Sequence, residues 1–229
     1  MINPMHPPTL YTVEIPRARF TSFLALIVVV LLVNHVMLQS FYYRLDAGHW
    51  VLRDMFNLDE EENLPTYYSS FALLVSAGLL ASIALQKFQE FDRFARHWSV
   101  LAIGFLAMSI DEVAGLHEAL NTVIDIPWTV PAGVAALFLA TLYIKFLLHL
   151  PRATRNGFLL AGIMFGSGAI VVEHLTDWYL QIQSMDSLGY NLFVALEEGL
   201  EMFGIVVFIN TVLGYMSAAN AAVVQLEVE

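Results

Sequence analysis

Apolar runs of about twenty residues alternate along this chain with short polar connections. They fall at about 20–40, 66–86, 98–121, 128–148, 157–181 and 190–215. A helix of twenty residues rises about 30 Å, the thickness of a bilayer's hydrocarbon core. The pattern predicts an all-α, polytopic membrane protein: a cytoplasmic N-terminal segment (1–19), six transmembrane helices in one bundle (20–216) and a cytoplasmic tail (217–229). The first run is longer than a signal-peptide core and has no small-residue cleavage site, so it is expected to be retained. No fixed internal period divides the six runs into similar halves.

Composition agrees with the pattern. The 229 residues are 58% hydrophobic and 14% charged, and the mean hydropathy is +0.66, outside the balance of soluble domains. The basic residues fix a direction. Arg17, Arg19, Lys87, Arg93, Arg96, Lys145, Arg152 and Arg155 fall at one end of the runs, and only Arg44 and Arg53 at the other. The positive-inside rule then predicts both termini in the cytoplasm and the connections at 41–65, 122–127 and 182–189 facing outward. Compact size, absence of cysteine and this charge pattern point to a bacterial inner (plasma) membrane. The lipid bilayer is the expected partner, with other membrane proteins or a second copy compatible with the bundle. A basic footprint for nucleic acid is absent.

The polar residues inside the runs carry the candidate chemistry. Within Ser109–Glu118 stand Asp111, Glu112, His117 and Glu118; the fifth run holds Glu173, His174 and Asp177, the sixth Glu197, Glu198 and Glu201, and the first His35. Rise per residue places His35, Asp111, Glu118, Glu173, Asp177, Glu197 and Glu201 about 5–16 Å below the outer ends of their helices, although neighbouring helices run in opposite directions. Spacing gives each run a stripe: Asp111 and Glu118 seven apart, Glu173 and Asp177 four apart, Glu197 and Glu201 four apart. Glu112 and Glu198 point off these stripes, and His117 lies about 120° from Asp111.

Runs three, five and six hold eight acids and no Lys or Arg. Eight unpaired carboxylates in hydrocarbon would cost on the order of 20 kcal/mol, more than a typical protein's stability. Cations, shared protons or a water-filled cavity must offset this cost. With no cysteine in the chain, a metal must be held by oxygen and imidazole. Asp111, Glu118, Glu173, His174, Asp177, Glu197 and Glu201 are the expected ligands, with His35, Glu112, His117 and Glu198 as secondary candidates, for one or two divalent ions (Fe, Mn or Zn). Carboxylates alone would suit calcium or magnesium instead.

This inventory fits a membrane metalloenzyme, either a hydrolase or a di-metal oxidoreductase, whose catalytic residues the sequence does not single out. The alternatives are a proton- or cation-coupled transporter using the acids as a relay, and a non-catalytic subunit of a membrane complex. A structural role, with protonated acids as interhelical hydrogen-bonding glue, also accounts for the acids. Ser109-x-Asp111 and the later Glu173-His174 resemble part of the Ser, Asp and His pattern of the ceramidase and progestin-receptor group of membrane metallohydrolases. That group holds zinc with three histidines, two of them close together on a late helix, and this chain has no such second pair. The acidic stretch Asp59–Glu62 is expected to be a solvated loop ahead of a helix N-terminus.

Overall fold

Five helices of the computed structural model are long and apolar enough to cross a membrane: Arg17–Leu45, Leu64–Gln89, Ala95–Ala114, Thr129–His149 and Arg152–Leu180. The structure describes residues 9–14, 16–46, 48–121, 123, 126–182, 184, 185, 187–218 and 223–228. In chain order these form β1 (Thr9–Glu14), α1 (Arg17–Leu45), α2 (Trp50–Met55), α3 (Leu64–Gln89), α4 (Ala95–Ala114), α5 (Leu116–Asn121), α6 (Thr129–His149), α7 (Arg152–Gly166), a π-helical turn (Ser167–Val172), α8 (Glu173–Leu180), α9 (Leu188–Ala218) and β2 (Val223–Val228). The body is all-helical. Beyond it, β1 pairs antiparallel with β2, Thr9 opposite Val228 and Glu14 opposite Val223.

α9 is the axis of the bundle. Its 31 residues extend about 46 Å, and Met202, Ile205, Ile209, Val212 and Met216 are buried against the surrounding helices. α1 lies antiparallel to it. Arg17 Nε donates to Asn210 Oδ1 at 2.8 Å near one end, and His35 Nε2 lies 3.1 Å from the carbonyl oxygen of Asn191 near the other. These contacts are about 27 Å apart along either helix. α3 and α4 are clamped by reciprocal bonds: Ser109 Oγ donates to Ser70 O and Ser70 Oγ to Ser109 O, each at 2.8 Å. Two small residues at the crossing let the backbones approach closely.

The end carrying most of the Lys and Arg is filled by aromatic rings. Phe146 packs edge-on to Trp98, with centroids 5.0 Å apart, Phe158 stacks on Phe208 at 4.9 Å, and Phe105 stacks on Phe208 at 4.4 Å. Tyr143 OH donates to His97 O at 3.0 Å. α4 and α6 are joined there, at their basic ends.

Two expected runs are interrupted. The run at 98–121 does not form one helix: α4 ends at Ala114, Gly115 turns left-handed (φ +57), and α5 begins at Leu116. The shared face of Asp111 and Glu118 presumed an unbroken helix, and the turn removes that relation. The run at 157–181 is continuous but contains the π-helical turn, which rotates Glu173 and everything after it relative to α7.

Candidate functional site: an acid-lined cavity

A cavity of about 750 Å³ lies in the half of the bundle away from the aromatic plug. Ten carboxylates line it: Asp59, Glu60, Glu61, Asp111, Glu112, Glu173, Asp177, Glu197, Glu198 and Glu201. Among its described lining residues there is no Lys, Arg or His.

α9 and the π turn form its deepest acidic part. A Cβ on Gly168 would stand 2.7 Å from the carbonyl oxygen of Glu197 and 2.7 Å from Glu201 Cγ, so the turn and α9 meet at backbone distance where the glutamates leave the helix. Glu197, Glu198 and Glu201 rise from this contact into the cavity. Thr176 Oγ1 lies 3.3 Å from Glu197 Oε2, although its proton is better placed on Val172 O at 2.9 Å. Glu198 and Glu201 lie deep in the bundle and open onto the cavity. Among the described residues, neither has a hydrogen-bond donor or a cation beside it.

Across the cavity, α4 supplies Asp111 and Glu112, both half-buried. Trp128, just before α6, donates its indole N–H to Glu173 Oε1 at 2.6 Å. This bond fixes the carboxylate at the start of α8. Asp177, one turn on, is exposed at the rim.

The rim is completed by Asp59, Glu60 and Glu61, which the sequence pattern alone assigns to a solvated loop. The loop folds inward because its backbone is held at both ends. His35, buried in α1, accepts the Leu58 N–H on Nδ1 at 3.0 Å, and Leu58 is itself buried. Asn63 donates to Asn57 O at 2.5 Å and Glu60 O at 2.8 Å, and caps α3 by accepting the Thr66 N–H at 3.3 Å. Tyr190 of α9 donates its hydroxyl to Asp59 Oδ1 at 2.5 Å. The signal for this fold-back was present as Asn63-Leu-Pro65, a cap followed by a proline in the first turn, which fixes where the loop must end.

The expected ligands therefore divide. Asp111, Glu173, Asp177, Glu197 and Glu201 share one cavity, and Glu112 and Glu198, off the stripes on a helical wheel, join them. His174 is exposed and does not line the cavity. His35 has both ring nitrogens engaged by main chain, Nδ1 by Leu58 and Nε2 by Asn191, so no lone pair remains for a metal. The side chains of His117 and Glu118 lie outside the described residues. Among the described residues no three His, Asp or Glu side chains form a ready coordination group. The cavity presents carboxylates around an open space.

His35→Leu would leave the Leu58 N–H and Asn191 carbonyl buried without partners. We expect a loss of about 2 kcal/mol or more, read as a lower thermal unfolding midpoint of the purified protein in detergent. An unchanged midpoint would show that water replaces both bonds.

No curated protein matches the chain and no solved structure matches it. A family model described as Domain of unknown function (DUF8692) matches residues 22–215, from within α1 to within α9, and the chain belongs to that family.

Proposed function

We propose that this chain is a six-crossing membrane protein, with its basic end in the cytoplasm, whose acid-lined cavity binds cations from the opposite side. The observation that carries the reading is the pair Glu198 and Glu201, enclosed by protein, facing the cavity and without donors among the described residues. Carboxylates so placed are costly unless a cation or proton accompanies them. α9 counts as the sixth crossing because it runs antiparallel to α1 between Arg17–Asn210 and His35–Asn191. An even number of crossings is also what the pairing of β1 with β2 requires.

The donor set narrows the ion. Iron or zinc in such a site would draw on imidazole, and of the expected histidine ligands the two whose side chains are described, His35 and His174, are engaged elsewhere or turned away. Oxygen donors alone suit calcium, magnesium or manganese. An aromatic plug below the cavity, from Phe105 through Phe208 and Phe158 to Trp98, disfavours a continuous ion path and favours binding over conduction.

The test is calorimetric titration of chelator-treated protein in detergent with calcium, magnesium, manganese and zinc. Saturable binding of at least one hard ion below about 1 mM, the weak end of calcium modules, is the expected result. Absence of binding by all four at that concentration overturns the reading.

A further inference from the structure

The cavity is not acidic throughout. Its far wall, on α6 and α7, is small and apolar: Ala132, Ala135, Ala136, Leu139, Gly162 and Gly166. Leu139 lines the cavity and is nevertheless 47% exposed. Leu139 stands ten residues into α6 and Gly162 ten residues into α7, each about 15 Å along its helix. In a hydrocarbon core about 30 Å thick that is the bilayer midplane. The contacts that tie α4 to α6, Tyr143 to His97 and Phe146 to Trp98, lie at the basic end. Between the two helices above that level lies the cavity, lined by Met108 and Asp111 on one side and by the alanines on the other.

A cavity wall of alanine, leucine and glycine at the level of hydrocarbon is apolar, and a hydrated ion does not explain this half of the cavity. An alkyl chain does. The acids then specify the head group. Anionic heads, phosphate among them, are repelled by a wall of carboxylates without lysine or arginine, and a primary ammonium is complementary to it. A volume of about 750 Å³ is in the small-molecule range and suits one chain with a small head. We infer that the cavity takes up a single-chain amphiphile with a cationic amine head, reaching it sideways from the bilayer between α4 and α6, its chain along Ala135, Ala136, Leu139 and Gly162 and its ammonium among the carboxylates. This rests on the reading of the cavity as a cation site.

The experiment uses the full chain in zwitterionic nanodiscs and a long-chain primary amine with a photoactivatable group near its chain end. Labelled peptides are mapped by mass spectrometry, with unlabelled amine, alcohol and sulfate of equal chain length as competitors, and calcium binding is measured on the same preparation. Adducts on α6 and α7 at the cavity wall, displaced by the amine at about tenfold lower concentration than by the alcohol or sulfate, are expected. Ala136→Phe, checked for monodisperse elution, should reduce those adducts severalfold. Equal competition by the three head groups, or adducts spread evenly over the lipid-facing helices, overturns the inference. Calcium binding accompanied by unselective labelling overturns this inference alone. Selective amine labelling without binding of any divalent ion supports it and overturns the metal assignment alone.

Discussion

Gly168→Leu is expected to prevent the bundle from closing around its cavity. The nearest atoms to a Cβ at this position are the carbonyl oxygen of Glu197 and the Cγ of Glu201, both at 2.7 Å, followed by the Glu201 amide nitrogen at 3.3 Å. Two of the three belong to the backbone of α9, which cannot swing aside as a side-chain tip can. α9 must therefore move as a unit, and it is the helix against which α1, α3 and α7 pack. Overpacking of this kind costs about 1–3 kcal/mol and more where the backbone must shift. The upper end applies here, so loss of monodisperse protein, or a sharply lowered unfolding midpoint, is expected. Gly78→Leu is the control: no atom outside its own helix lies within 4 Å of a Cβ there, and its midpoint should stay near wild type. Equal behaviour of the two variants would remove the close approach as the feature that positions Glu197 and Glu201.

The helical class was legible because an uninterrupted apolar run of about twenty residues sets helix length, and each run expected from about Phe20 to Tyr215 contains a helix. Asp111, Glu173 and Glu201 come from helices of different direction and line one cavity. What escaped was set by tertiary contacts. A π turn inserts a residue without a composition signal and turns α8 relative to α7, while within α8 the 100° step between neighbours leaves Glu173 inside and His174 outside. The left-handed turn at Gly115 divides the third run, and apolar run length alone does not mark it. The inward fold of Asp59–Glu61 depends on His35, separated from Leu58 by a helix end and the whole of α2. A polar residue at depth in α1 suggested a ligand; its two nitrogens instead fasten the loop that carries three of the acids.

Replacing Glu198 and Glu201 together by glutamine distinguishes a functional cavity from hydrogen-bonding glue. The two residues stand one turn apart on α9 and face the same space, where the like-charged carboxylates of Glu112, Glu173 and Glu197 surround them. If they served as protonated glue, each would donate to a neighbouring helix. The groups that could accept from them are those same carboxylates, Glu112 on α4 among them. Glutamine keeps their volume and removes their charge. In cation-free buffer the double variant is therefore expected to unfold at the same temperature as wild type or higher, since relief of buried repulsion is a recognised route to stability at the expense of function. Glue would give the opposite sign, a loss of about 0.6–2 kcal/mol per residue. Added calcium separates the proteins further. A ligand at one hundred times its dissociation constant stabilises the native state by about 2.7 kcal/mol, so the wild-type midpoint should climb with calcium while the variant's stays flat. A variant that is less stable without calcium, yet responds to calcium as wild type does, would assign these glutamates to the packing of α9 and return the cation to the rim formed by Asp59, Glu60, Glu61 and Asp177.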